Sequence, residues 1–172
     1  MSAPLIDHIG ILVHDLEAAI ARWSAVTGYT FSPIARYRTE HYSDHSNGEP
    51  HFHETRLTFS KEGPPYIELM SVAGNGTHGP HEAGVHHLGF RVQDVATEIR
   101  RCAHAGVGDD GKALLDDGRV HVWFTERGDG TDGLRFEFIA PFPGPLVADD
   151  GSELPTDPGT GRKRLWPVDE SE

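Results

Sequence analysis

Short segments with alternating apolar and polar residues recur along the chain, and two of them repeat each other. The segment from Ile6 to Asp15 returns as Val85 to Asp94, at a constant offset of 79 residues. The alternation in each copy predicts a half-buried strand. The residues that both halves share are His8/His87, Gly10/Gly89, Val13/Val92, Asp15/Asp94, Ile20/Ile99 and Arg22/Arg101. The chain therefore contains two related halves.

A helix is predicted after the first strand of each half. Asp15 is placed to cap the N-terminus of a helix that runs to about Thr27, where Gly28 is a stop signal. Asp94 repeats the arrangement for a helix that Gly106 ends. Two or three antiparallel strands follow each helix, with apolar runs at residues 52–59, 66–72, 120–125 and 134–140.

A glutamate between apolar neighbours ends each repeat. Glu68 lies in the run from Tyr66 to Met70, and Glu137 lies in the run from Arg135 to Ile139. Each repeat thus begins with a histidine and ends with a glutamate. If the halves pair about a pseudo-twofold axis, two histidines and two carboxylates converge at one central cleft.

The two halves are predicted to form one α+β domain, because about 70 residues alone bury too little surface for a stable core. We assign residues 1–142 to this domain, with the first half at about 5–73, a glycine-rich linker at about 74–84 and the second half at about 85–142. Residues 29–50 predict a long loop or an irregular strand pair. Residues 143–172 are rich in proline, glycine and acidic residues, which predicts a tail that is draped over the surface or disordered.

The composition narrows the classes of partner. The 172 residues carry a formal net charge of -12, which argues against nucleic acid, because binding phosphates relies on clustered Lys and Arg. No apolar run approaches the roughly 20 residues that cross a bilayer, and the N-terminus lacks a signal-peptide pattern. Cys102 is the only cysteine, so an intrachain disulfide is excluded. These features predict a cytoplasmic protein that binds neither nucleic acids nor membranes.

Strand parity places the four repeated polar residues on one face. Alternate side chains of a strand point to opposite sides, so the helices cover the apolar neighbours while His8, Glu68, His87 and Glu137 point to the concave side. Imidazoles and carboxylates suit a divalent ion of Zn, Ni, Co, Mn or Fe, with open positions for water or substrate. Each residue alone is more often an ordinary polar strand residue. Their match across the repeat predicts a metal site.

Neighbouring strands are predicted to form the substrate walls. If Leu57 and Phe59 face the helix, then Glu54 and Arg56 face the cavity. The same argument applied to other strands adds three inward side chains, namely Tyr66, His121 and Trp123. A plain Arg56–Glu54 ion pair and packing of Trp123 between the halves are the alternative interpretations.

Other histidine patterns compete with this site. His51 and His53 have the His-x-His spacing of a cupin metal site, but Leu57 stands where that motif needs a glutamate, so this interpretation fails. His78 and His81 lie in the glycine-rich linker, and we predict that they belong to a solvated loop.

These motifs resemble the vicinal oxygen chelate superfamily, which includes glyoxalase I, methylmalonyl-CoA epimerase, extradiol dioxygenases and fosfomycin- or bleomycin-resistance proteins. The resemblance covers roughly residues 5–142. It implies two paired βαβββ modules around a concave metal-binding cleft. It also implies that His8, Glu68, His87 and Glu137 form the four-ligand shell of the glyoxalase and epimerase branch. The segment from Gly84 to Val92 is most similar to methylmalonyl-CoA epimerases.

The resemblance implies a metal-dependent isomerase, epimerase or glyoxalase-type lyase that removes a proton next to a carbonyl of a small carbonyl or thioester substrate. Glu137, Glu68 or Glu54 would move the proton. Homodimers are common in this superfamily and are expected here. Two alternatives stay open: an extradiol-type dioxygenase, which needs Fe(II) and oxygen, and a ligand-sequestering protein that performs no chemistry.

Overall fold

The structure is a computed structural model that describes residues 3–141 and 146–154. Each half of the chain contains one strand, one helix and three further strands. The first half comprises β1 (Ile6–Val13), α1 (Leu16–Thr27), β2 (Ala35–Asp44), β3 (Asn47–Phe59) and β4 (Tyr66–Ser71). The second comprises β5 (Gly84–Arg91), α2 (Val95–His104), β6 (Asp109–Leu114), β7 (Val120–Thr125) and β8 (Phe136–Ile139), and β9 (Leu146–Ala148) follows. The two predicted βαβββ modules are confirmed.

The capping signals act as predicted at both helices. The Asp15 side chain accepts a hydrogen bond from the Ala18 N–H, and Gly28 ends α1 with a positive φ of 79°. At α2, the Asp94 side chain accepts from the Ala96 N–H. A carboxylate at this position satisfies backbone donors that have no partner within the helix.

The strands of the described residues form one sheet that closes on itself. Their order is β3-β4-β1-β5-β8-β7-β6-β2, and β2 also pairs with β3. The seam between β2 and β6 consists of three residue pairs, from Tyr42↔Ala113 to Asp44↔Gly111. Beyond this seam the same edge of β2 pairs with β9. The predicted concave cleft is therefore the interior of a barrel.

A pseudo-twofold axis passes between β1 and β5, which run antiparallel. On the other side of each lies the last strand of its own half, with β4 parallel to β1 and β8 parallel to β5. Equivalent residues of the two repeats therefore face each other across the β1–β5 pair.

Apolar side chains are buried on both faces of the sheet. Leu69 packs under α1 with Leu16 and Ala19, and a second outer cluster lies under α2. A third cluster fills part of the barrel interior. Its buried members are Leu12, Ala35, Tyr37, Tyr42, Leu57, Phe59, Met70, Ala113, Val122, Phe124 and Leu146.

The two-sided burial overturns the face prediction for β3 and β7. Leu57 and Phe59 pair with Met70 and Glu68 of β4 and share their inward direction. Phe124 likewise pairs with Glu137 and points inward. The apolar residues were expected to face the helices, but the interior of a closed barrel is itself a core that needs apolar side chains.

Two segments contain more regular structure than a loop or a tail would have. Residues 29–50 contain β2 and the start of β3. Of the two predicted alternatives, a long loop or an irregular strand pair, the strand pair is therefore observed. Within the predicted tail, β9 pairs with β2 and buries Leu146. Residues 143–145 and 155–172 of that tail lie outside the described residues. Among the described residues, no helix has the length and apolar character needed to span a membrane.

Candidate metal centre

Two rows of residues across the sheet build the candidate centre. In one row His8 pairs with Gly89, which pairs with Glu137. In the other row His87 pairs with Gly10, which pairs with Glu68. The pseudo-twofold axis exchanges the two rows.

The glycine in each row leaves room for the histidine of the opposite repeat. A Cβ atom built on Gly10 would lie 2.1 Å from Cε1 of His87. A Cβ atom built on Gly89 would lie at the same 2.1 Å from Cε1 of His8. Each ring therefore lies over a glycine backbone, which explains why the histidine and glycine repeat together.

The four side chains converge inside the barrel. His8 Nε2 lies 2.8 Å from Glu137 Oε2, 3.1 Å from His87 Nε2 and 3.6 Å from Glu68 Oε2. His87 Nε2 lies 3.2 Å from Glu68 Oε2 and 3.5 Å from Glu137 Oε2. The ligand atoms of His8, His87 and Glu137 all lie within 4.8 Å of one another. All four residues are buried.

The charges of this cluster favour a bound cation. Burial by itself lowers the pKa of His8, but hydrogen bonds to Asp7 and Glu137 and the nearby Glu68 charge raise it to about 10. Burial opposes ionisation of Glu137, yet His87 and His8 hold its pKa below the ordinary value. Glu68 Oε2 is buried and has no hydrogen-bond partner among the described residues. A buried carboxylate oxygen that lacks a hydrogen bond is costly, and a divalent ion would satisfy it.

Neighbouring residues orient the two imidazoles. His8 Nδ1 lies 2.9 Å from Asp7 Oδ2, so Nδ1–H donates to the carboxylate and Nε2 faces the centre. His87 Nδ1 lies 2.9 Å from His86 Nδ1, and His86 Nε2 lies 2.6 Å from the Thr77 carbonyl oxygen. Such outer partners are typical of metal-binding histidines, because they set the tautomer of the ring.

The contacts of His86 define its tautomer. A carbonyl oxygen accepts only, so Nε2–H of His86 donates to Thr77, and Nδ1 accepts from His87 Nδ1–H. Arg135 Nη1 also lies 2.9 Å from His86 Nε2, although both groups are then donors. The shorter contact, to Thr77, determines the assignment, since Arg135 has Glu82 and Asp110 as ion partners. Burial, His87 and Arg135 keep the pKa of His86 well below its ordinary value, so this ring is neutral.

The cluster lines an internal cavity of about 50 Å³. Apolar side chains form most of its walls. The lining residues outside the cluster are Tyr37, Tyr42, His53, Thr55, Leu57, Phe59, Met70, His78, Ala113, Val122, Phe124 and Ile139.

Two of the predicted wall residues lie outside the barrel. Glu54 forms ion pairs with Arg36 and Arg38 on the outer surface. Arg56 is bound to Asp149 and Glu17. The prediction that Glu54 and Arg56 face the cavity is therefore wrong, because Leu57 and Phe59 occupy the inner face of β3.

The structure places the other three predicted wall residues, Trp123, His121 and Tyr66, in different surroundings. Trp123 packs in the outer cluster under α2, and its Nε1–H donates to Asp109, so its inward assignment is wrong. His121 is the extra residue of an irregularity in the β6–β7 pairing, and its ring stacks 6.3 Å from that of Tyr37. A β-bulge redirects side chains in this way. Tyr66 packs against the interior cluster.

Sequence reasoning missed several residues around the centre. Asp7 and His86 each precede a predicted ligand, and this adjacency was the available signal. His78 was predicted to be solvated, but it is 4% exposed and lines the cavity. The linker folds into the barrel end here, where the Thr77 N–H donates to the Asp44 carboxylate.

Sequence comparisons relate most of the chain to known proteins. The family profile described as the Glyoxalase/Bleomycin resistance protein/Dioxygenase superfamily matches residues 7–113. The uncharacterized protein YwbC of Bacillus subtilis (strain 168) is 27% identical over 140 residues, which make up 80% of this chain and 98% of YwbC.

Structural comparisons find the same fold. Hypothetical protein BH1468 from Bacillus halodurans C-125 aligns with a TM-score of 0.56 and 18% identity, over 82% of this chain and 96% of that one. A variant of Streptomyces coelicolor methylmalonyl-CoA epimerase in complex with 2-nitronate-propionyl-CoA aligns with a TM-score of 0.53 and 20% identity, over 81% and 95%. The epimerase from Mycobacterium tuberculosis has a TM-score of 0.52 and 19% identity, over 83% and 93%.

The Gly10→Ala substitution tests the packing of histidine over glycine. The new methyl group would force the His87 ring to move, and overpacking of this kind costs about 1–3 kcal/mol of unfolding free energy. Gly48→Ala is the matched control, because nothing lies within 4 Å of a Cβ atom there and its cost should stay within about 0.5 kcal/mol. Denaturant unfolding measures both. Equal stability of the two variants would contradict the close approach.

Proposed function

Because the chain belongs to the glyoxalase/bleomycin resistance protein/dioxygenase superfamily, we propose that it is a divalent-metal-dependent enzyme. Its reaction removes a proton next to a carbonyl, as an isomerase, an epimerase or a glyoxalase-type lyase. His8, His87, Glu68 and Glu137 would hold the ion. The substrate is a small carbonyl compound or a thioester.

One observation carries the proposal. Two carboxylates and two imidazoles are buried together in an apolar cavity, and Glu68 Oε2 has no hydrogen-bond partner there among the described residues. A purely structural cluster would leave two acidic groups to be neutralised by the histidines alone. The donor set of nitrogen and carboxylate oxygen atoms is the one that Zn, Ni, Co, Mn and Fe bind.

The residues of the cluster divide the work of the reaction. A bound divalent ion supplies Lewis-acid stabilisation of the negative charge that develops on a substrate oxygen. Glu137 Oε2 lies 2.8 Å from His8 Nε2, which is the shortest carboxylate–imidazole distance in the cluster. Glu68 is the freer carboxylate, so we assign proton transfer to Glu68. The walls formed by Leu57, Met70 and Phe124 exclude water.

The comparisons support this reaction class. Methylmalonyl-CoA epimerases are among the structures with this fold, and one is in complex with 2-nitronate-propionyl-CoA. A thioester of that kind has the carbonyl that the proposed chemistry needs. The homodimer and the cytoplasmic location stay predictions.

Metal content is the direct test of the centre. Protein purified without an affinity tag should hold about one divalent ion per chain, measured by elemental analysis. The double variant His8→Ala/Glu137→Ala should lose the ion, because it removes two of the four ligands. Glu54→Gln changes a carboxylate outside the barrel and should keep the ion. If the wild type takes up no metal under any loading condition, the enzymatic proposal fails.

The role of Glu68 predicts a selective loss of proton transfer. Wild-type protein in D2O should exchange the hydrogen next to the carbonyl in a member of a panel of carbonyl acids, CoA thioesters and hemithioacetals. Glu68→Gln should slow this exchange by about 10²–10⁴-fold, the usual contribution of general acid–base catalysis. Nuclear magnetic resonance measures the exchange, and Glu54→Gln should leave it unchanged. A Glu68→Gln variant that holds metal and still exchanges would exclude Glu68 as the base.

A second candidate function has its own observation. His8, His87 and Glu137 form the compact trio, and two histidines with one carboxylate are the ligand set of non-haem Fe(II) oxygenases. This arrangement favours an extradiol-type dioxygenase. Protein loaded with Fe(II) should then consume oxygen when a catechol is added, which an oxygen electrode detects. The 3.2 Å approach of Glu68 to His87 favours the four-ligand alternative.

A further inference from the structure

A second polar group lines the same cavity. Tyr42, His53 and His78 are 1%, 7% and 4% exposed, respectively, and none of them belongs to the metal cluster. We call these three residues the histidine subsite. Their polar atoms are buried among apolar walls, where polar groups without partners are costly.

The closure of the barrel assembles this subsite. Tyr42 lies on β2 at the seam with β6, and His53 lies on the adjacent strand β3. His78 comes from the linker, which is held by the hydrogen bond from the Thr77 N–H to Asp44. Three separate parts of the chain thus place their rings at one end of the cavity.

The three rings contact one another but leave hydrogen-bonding capacity unused. The rings of Tyr42 and His53 stack at 4.1 Å, and those of His53 and His78 lie 4.9 Å apart. Tyr42 Oη lies 3.2 Å from His78 Nδ1, within hydrogen-bond distance. His53 Nε2 is buried and has no hydrogen-bond partner among the described residues. A ligand group that reaches this nitrogen would remove the cost of its burial.

The subsite is uncharged. Burial, opposed by Asp44 and assisted by His51, lowers the pKa of His53 to about 4. Burial and the neighbouring His53, His86, His87 and Arg135 hold the pKa of His78 well below its ordinary value. Neutral imidazoles and a phenol both donate and accept hydrogen bonds, yet they cannot balance a ligand charge. The complementary ligand group is therefore polar and uncharged.

An apolar side chain contacts a member of each polar site. The Phe124 ring lies 5.1 Å from the ring of His78 and 5.4 Å from that of His87. Phe124, Leu57, Met70 and other apolar side chains line the cavity that holds both sites, so the middle part of a ligand that reaches both is expected to be apolar.

We propose that Tyr42, His53 and His78 bind an uncharged hydrogen-bonding group, such as a hydroxyl, at the far end of the substrate. The inference rests on the proposed function, because it assumes that the opposite end of the substrate binds at the metal cluster. The substrate class is a compact molecule with metal-binding oxygens at one end, an apolar middle and a neutral polar group at the other end.

Paired hydroxamates test the subsite. Zinc-loaded full-length protein is titrated with linear alkyl hydroxamates of increasing chain length, and each is compared with its counterpart that carries a terminal hydroxyl. In both compounds of a pair the hydroxamate oxygens bind the metal. The two compounds therefore differ only at the far end of the chain. At the matching chain length, the hydroxyl should tighten the dissociation constant roughly three- to tenfold, as expected for one neutral hydrogen bond. Isothermal titration calorimetry measures the constants.

Substitutions in the histidine subsite test whether it causes the tighter binding of the hydroxyl-bearing hydroxamate. Tyr42→Phe and His53→Leu should each remove the hydroxyl preference while the unsubstituted hydroxamate binds as it does to the wild type. His53→Gln, which retains hydrogen-bonding groups, should keep part of the preference. His14→Leu replaces an exposed histidine and should change neither constant. Thermal unfolding verifies that each variant is folded.

The outcomes separate this inference from the proposed function. Metal uptake with tight hydroxamate binding but no hydroxyl preference at any chain length would overturn the subsite and leave the metal centre intact. A preference that survives in Tyr42→Phe and His53→Leu would also overturn it. Protein that takes up no metal would contradict the proposed function, and the inference would fall with it.

Discussion

The reciprocal packing of histidine over glycine at the β1–β5 pair is the constraint on which the candidate centre depends. An imidazole can lie across the neighbouring strand only where that strand has no Cβ atom. Gly10 and Gly89 provide this space for His87 and His8. Because the strands are antiparallel, one motif used twice brings both Nε2 atoms to within 3.1 Å of each other. The glutamates then complete the two rows from the adjacent parallel strands.

Burial of two carboxylates in an apolar barrel is energetically costly, and the neighbouring histidines compensate only part of this cost. His8 and His87 lie close to both glutamates, yet Glu68 Oε2 keeps no hydrogen-bond partner among the described residues. The orienting contacts of Asp7 and His86 direct the two Nε2 atoms toward the carboxylates. This arrangement is more typical of a binding centre than of a structural ion pair. A buried ion pair gives little stability, because replacing it with well-packed apolar residues is often neutral or stabilising.

Closure of the sheet determines what a ligand meets beyond the centre. The β2–β6 seam brings Tyr42 over the cavity, and the linker brings His78 to the same end. The outer surface of β2 and β3 instead carries the ion pairs of Arg36, Glu54 and Arg56. On β2 and β3 the polar side chains thus form two sets, an inner neutral set that includes Tyr42 and His53 and an outer set of charged pairs.

The sequence by itself determined the repeat, the helix caps and the two βαβββ modules. It also determined the inward direction of the four repeated polar residues. Each of these features depends on local spacing or on strand parity. Strand parity predicted the wrong side-chain direction for Glu54, Arg56 and Trp123. Alternation shows that two faces differ, but it does not show which face is inside when both are buried. Only the tertiary structure decided that β2 closes the barrel, that β9 joins its edge and that His78 is enclosed. These features depend on contacts between distant segments, which leave no periodic signal in the chain.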